Sequence, residues 1–135
     1  MKLSAIILVI LVAAVVALLV FIRVAPSDPD RWHRMPENLS DGDLDGGAMR
    51  KVEGDLAALD RIIRDTPRTR VLAGSVSDGM ITYVTRSRVF GFPDYTTVRQ
   101  DGDRLEIYGR LRFGKSDLGV NAARIDGWLR QLQAG

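Results

Sequence analysis

The chain has no cysteine, which excludes disulfides, zinc–cysteine sites, iron–sulfur clusters and thiol catalysis. Histidine is nearly as scarce. His33 is the only one, so no second imidazole completes a metal pair, and a serine nucleophile would have one base available. No phosphate-cradling glycine loop is present. Net charge is also small: 19 basic residues stand against 17 acidic, leaving +2. That excludes a chromatin-like polycation, and an apolar content of 46% excludes a chain too polar to fold. A length of 135 residues leaves room for one folded domain, not for a doubly wound cofactor domain plus a catalytic one.

What is present first is a charge-free run from Leu3 to Ile22, interrupted only by Ser4. Twenty helical residues rise about 30 Å, the thickness of a bilayer's hydrocarbon core. Arg23 closes the run, and Pro26 and Pro29 end the helix. Cleaved secretory signals have apolar regions of about 7–15 residues followed by small residues. Phe21-Ile22-Arg23-Val24-Ala25-Pro26 offers no good site of that kind. The expectation is an uncleaved transmembrane anchor over 3–22, in the inner (plasma) membrane. Counting Lys and Arg alone, Arg23, Arg31 and Arg34 favour a cytoplasmic C-terminal side. A helix preceded only by Lys2 and the amino terminus instead resembles a signal-anchor, and the domain is expected to be extracytoplasmic.

Residues 23–47 read as a linker. From 24 to 47 they hold three prolines, three glycines and six acids against two arginines. Trp32 and His33 sit here, the histidine read as structural. Asp41-Gly42-Asp43-Leu44-Asp45-Gly46 has the D-x-D-x-D-G start of a calcium loop. However, Val52 stands where that loop needs glutamate, and Glu53 comes one residue late. No metal site is therefore assigned, Asp41, Asp43 and Asp45 being the weak candidates, and the stretch reads as flexible linker.

Residues 48–135 read as an α+β domain. Met49, Val52, Leu56, Leu59 and Ile63 recur at helical spacing and predict one amphipathic helix. Four strands follow: Arg68 to Val76, Met80 to Phe90, Tyr95 to Gln100 and Arg104 to Phe113. Asp78-Gly79 and Asp101-Gly102 mark two hairpin turns. The last strand alternates Leu105, Ile107, Gly109, Leu111 and Phe113 with Arg104, Glu106, Tyr108, Arg110 and Arg112, which predicts one buried and one solvated face. Asn121 is the expected N-cap of a C-terminal helix carrying Ile125, Trp128, Leu129 and Leu132. The expected architecture is two-layered: helix, four-stranded antiparallel meander, helix.

The candidate functional residues are arginines and the turn before the last helix. Arg86 and Arg88 share one face of the second strand, and Arg110 and Arg112 one face of the last. Together they suit an anionic head group or phosphorylated ligand. Ser116, Asp117 and Asn121 precede and open a helix, where backbone amides attract anions. Sixteen of the basic residues are arginine, a bias that genomic base composition can also produce. The leading expectation is a non-enzymatic module that binds a protein partner or an anionic lipid, without cofactor and without nucleic acid. The alternative is a small hydrolase-like or lipid-modifying enzyme using Asp94, Asp117 and the arginines.

Thr85-Arg86-Ser87-Arg88-Val89-Phe90-Gly91-Phe92-Pro93-Asp94 and Gly114-Lys115-Ser116-Asp117-Leu118-Gly119-Val120-Asn121 resemble the domain-of-unknown-function family numbered 1499. Asp30-Arg31-Trp32-His33 is similar to bacterial members with an N-terminal membrane segment, so the resemblance covers roughly 30–133. It implies a bacterial or plant protein that is membrane-associated or exported, with no activity to carry over. Many members place an acidic pair after a Phe-x-Phe-like stretch. Here Pro93-Asp94 stands instead.

Overall fold

Gly54 and Asp55 divide what the sequence presents as one helical stripe. In the computed structural model, which describes all 135 residues, Gly47–Glu53 is a strand (β2) and Leu56–Arg64 a helix (α3). Asp55 caps α3, its carboxylate accepting from the Ala58 amide at 3.0 Å. Gly54 is held close to the last strand, where a Cβ would lie 2.8 Å from Leu105. The expected long helix over Met49–Ile63 is thus corrected. Met49 and Val52, three apart, share a helical stripe but lie on opposite faces of β2, Met49 opposite Tyr108 and Val52 opposite Leu105; Gly54 and pairing with β6 decided the outcome.

The four expected strands form, as β3 (Thr69–Ser75), β4 (Met80–Arg86), β5 (Pro93–Asp101) and β6 (Arg104–Leu111). Gly79 and Gly102 take the positive φ their turns need. β6 is not an edge, however. β2 pairs with it along its length, and a short β1 (Gly42–Leu44) pairs with β2. The sheet therefore has six antiparallel strands in the order β1-β2-β6-β5-β4-β3, not four. Pairing β2 satisfies the backbone groups β6 would otherwise expose.

One face of the sheet carries α3 and the C-terminal helix α4 (Val120–Ala134). Leu59, Ile63 and Ile125 are fully buried against Ile81, Val98 and Ile107, each apolar side chain worth about 1.5–3 kcal/mol. Gly109 lets α4 approach, since a Cβ there would lie 2.8 Å from Ile125. Tyr83 donates to Asp60 of α3 at 2.6 Å. Burial and that bond raise the phenol's pKa.

The other face is covered as well. The N-terminal helix α1 (Lys2–Val24) stands clear of the domain except at its last turn, with almost none of its length buried. Past it, residues 25–39, including the single turn α2 (Pro29–Trp32), run across the sheet. Trp32 stacks on Tyr95 with ring centroids 4.0 Å apart and planes 13° from parallel. Ser27 bonds the Tyr95 hydroxyl at 2.6 Å, and His33 Nδ1 bonds Thr82 at 2.8 Å. The segment expected to be a linker is thus a strap on the sheet. The charged face of β6, expected to be solvated, lies beneath it: Glu106 is 4% exposed and Arg110 9%. Alternation reveals which residues share a face but not what covers that face.

Candidate anion-binding site

The last turn of α1 enters the domain. Ile22 is buried, and its carbonyl accepts from Arg86 at 3.2 Å. Arg86 also donates to the Gly91 carbonyl at 2.9 Å. Arg23 donates to the Val89 carbonyl, and its side chain lies so close to Gly91 that a Cβ there would be 3.2 Å from Arg23 Cγ. The β4–β5 loop also closes on itself, with Ser87 Oγ accepting from the Phe92 amide at 2.9 Å.

Two backbone features bring further arginines beside Arg86. Arg68 has φ 57°, the left-handed region that ordinary residues avoid at about 1–2 kcal/mol. Its Nε donates to the Arg86 carbonyl at 3.1 Å. In β3 the register shifts at Leu72, so Val71 pairs with Tyr83 and Arg70 with Val84. Without that bulge, counting from the Ser75–Met80 pair would place Arg70 opposite Thr85, on the helix side. With it, Val71 joins the core and Arg70 faces the same way as Arg86.

The result is a cavity of about 460 Å³ lined by Arg23, Arg68, Arg70, Arg86 and Arg88, with no carboxylate. None of the five is in an ion pair. The chain's ion pairs are Arg50 with Asp43 and Asp126, Arg64 with Asp60, Arg99 with Glu106, and Arg124 with Asp94. Arg23, Arg68 and Arg86 each give a donor to a backbone carbonyl, whereas the side chains of Arg70 and Arg88 keep theirs uncommitted. Guanidinium groups without a carboxylate partner are suited to phosphate-type oxygens, which accept their planar N–H forks.

The other sequence candidates lie elsewhere. Arg88 is in the turn after β4 rather than on the strand, yet lines the cavity with Arg86. Arg110 is under the strap, donating to Thr97 at 2.8 Å, to the Tyr108 carbonyl at 3.1 Å and to the Trp32 carbonyl. Its guanidinium is 4.5 Å from the Tyr108 ring centroid. Burial lowers its pKa to about 10, so it stays charged at neutral pH. Arg112 donates to the Pro26 carbonyl at 2.9 Å and to Tyr95 at 3.2 Å. Both arginines clamp the strap.

Ser116, Asp117 and Asn121 build the start of α4. Ser116 Oγ accepts from the Leu118 amide at 3.2 Å. Asp117 accepts from the Gly119 amide at 2.9 Å and from the Asn121 amide at 3.0 Å. Burial pushes the Asp117 pKa up, but these N–H donors outweigh it and hold the pKa below the usual carboxylate value. Asn121 is not the N-cap. Gly119 holds that position, and Asn121 is fully buried, accepting from Arg124 at 3.1 Å. Arg124 also pairs with Asp94 at 3.1 Å. Burial raises the Asp94 pKa, with Arg124 opposing it.

Asp94 pairs with Thr85 and Leu111, on the helix face, whereas Arg86 and Arg110 face the strap. The sheet therefore separates the acids from the arginines that the enzymatic alternative would combine. Of the acidic stretch before β2, Asp43 pairs with Arg50 at 2.7 Å and Asp41 accepts from the Lys51 amide at 2.7 Å. Both carboxylates hold the β1–β2 hairpin, and no three acidic or histidine side chains converge on a metal-sized space.

Of the residues lining this cavity, sequence reasoning names Arg86 and Arg88 and does not name Arg23, Arg68 and Arg70. Arg23 reads as the end of an apolar run, and neither the bulge at Leu72 nor the left-handed Arg68 has a local signature. No curated protein and no solved structure shows significant similarity to the chain. Residues 22–132 match the family described as protein of unknown function (DUF1499), and the chain belongs to that family.

Proposed function

We propose that the protein is a non-enzymatic module on a single-pass membrane anchor at the bacterial cell envelope, holding a phosphate-bearing anionic group in the arginine cavity. The observation that carries this reading is the convergence of five arginines, none ion-paired, on one cavity. α1 is long and apolar enough to cross a bilayer, and its last turn contributes Arg23 to the cavity. Removing α1 as a cleaved signal would strip away that arginine and the buried Ile22, which favours retention. In this reading α1 is an uncleaved signal-anchor and the domain lies outside the cytoplasm.

The test uses the full chain in a neutral maltoside detergent. Inorganic phosphate, titrated at constant ionic strength, is expected to raise the melting temperature by mass action. A probe at 100 times its Kd adds about 2.7 kcal/mol. The Arg70→Ala/Arg88→Ala variant should lose the shift. Equal shifts from phosphate and chloride, or a shift that survives in the variant, would overturn the reading.

A further inference from the structure

The connections at the two ends of the sheet differ in kind. Outside Met1 and α1, the large exposed apolar side chains are Leu44, Val76, Val89, Phe90, Phe92, Leu118 and Val120. All but Val76 lie at one end, that of the β1–β2 turn, the β4–β5 loop and the β6–α4 connection. α1 leaves the domain at this end, with Arg23 bonded to Val89 and the Phe21 ring 6.2 Å from that of Phe113. The opposite end turns through Asp78, Asp101 and Asp103.

The exposure is large where it matters. Val89 is 67% exposed, Phe90 50% and Leu118 92%. A soluble domain gains nothing by holding two phenylalanines and a left-handed leucine in water. The β4–β5 loop is also fixed, because Arg23 and Arg86 bond its carbonyls. Arg23 ends the apolar run, so the loop sits at the depth where hydrocarbon gives way to head groups. Its aromatic side chains suit that depth. Arg88 and Lys115 stand beside the apolar tips, as expected against an anionic lipid surface. Asp94 and Asp117 at this end are engaged by Arg124 and by the α4 amides. Asp45, in the β1–β2 turn, and Asp65, just before β3, also lie at this end, at its two sheet edges.

We infer that the helix-exit end of the domain seats on the bilayer that α1 crosses, with the Val89–Phe92 loop and Leu118 embedded among the head groups. This rests on α1 being a retained anchor. The domain then does not swing free on a tether. It lies against the lipid, and the arginine cavity beside the loop opens at the level of the lipid phosphates.

The absence of cysteine makes the test direct. Phe90→Cys, Leu118→Cys and, at the far end, Ser77→Cys would each be labelled with an environment-sensitive nitrobenzoxadiazole dye. The full chain would be placed in nanodiscs of phosphatidylcholine, with and without phosphatidylglycerol. Positions 90 and 118 are expected to emit to the blue of position 77. Lipids spin-labelled near the head-group end of the acyl chain should quench both several-fold more than position 77. Seating that requires phosphatidylglycerol would also support the inference, showing that the basic residues contribute. Water-like emission and equal quenching at all three positions, in both lipid mixtures, would overturn it. The phosphate titration in detergent is independent of seating, so either result can fail without the other.

Discussion

Replacing Trp32 with alanine is the sharpest probe of the strap. The side chain is half-buried, stacks on Tyr95 at 4.0 Å and lies 5.6 Å from the Arg110 guanidinium. Truncating a fully buried tryptophan costs about 3–5 kcal/mol. Partial exposure reduces that to roughly 2–3, of which the ring stack supplies about 0.5–1.5. The Trp32 carbonyl still accepts from Arg110 in the variant, so the clamp is weakened rather than removed. For a domain of this size about 2–3 kcal/mol corresponds to a fall in melting temperature of roughly 10 °C. Thermal melting of the full chain in detergent measures it, and hydrogen exchange locates it. Amides of residues 25–39 should exchange faster in the variant, while those of β4 and β6 keep their order of protection. A melting temperature within about 2 °C of the parent would refute the strap and restore a flexible linker there.

Gly109→Ala should destabilise by about 1–3 kcal/mol through overpacking, because its Cβ would meet Ile125 at 2.8 Å; chemical denaturation measures it. Acid should weaken the fold in a stated direction. Asp117 and Asp126 have folded pKa values below their ordinary ones, Asp126 chiefly through its bond to Arg50. Their stabilisation is therefore full above the unfolded value of about 3.9 and is lost as pH falls through the folded values. Asp94, with a raised folded pKa, acts in the opposite sense. Asp117→Asn keeps an acceptor for the α4 amides but removes the titrating charge, and should flatten the loss of melting temperature as pH falls below about 3.9.

Much of the fold was legible because local chemistry decided it. The charge-free run gave α1, two Asp-Gly dipeptides gave the hairpins, and the alternation from Leu105 to Leu111 gave β6. What was not legible depended on distant partners. Met49 and Val52 fit a helical stripe until β6 is available to pair with them. Trp32 and His33 look like linker residues until Tyr95 and Thr82 are beneath them. The candidate site divided the same way. Arg86 and Arg88 stand close together in the sequence, whereas Arg23 arrives from the end of α1 and Arg70 through a bulge. Alternation sets Arg110 and Arg112 apart from the core, but the strap carbonyls that accept from them come from far off in the sequence.

The cavity's affinity for a phosphate-type anion is the claim on which the functional reading stands. Phosphorus-31 spectra of inorganic phosphate, recorded with the full chain in a phosphorus-free detergent, test it most directly. The parent protein should broaden the resonance in proportion to its concentration, and Arg70→Ala/Arg88→Ala should leave it as narrow as detergent alone. Identical linewidths with parent and variant would contradict the account.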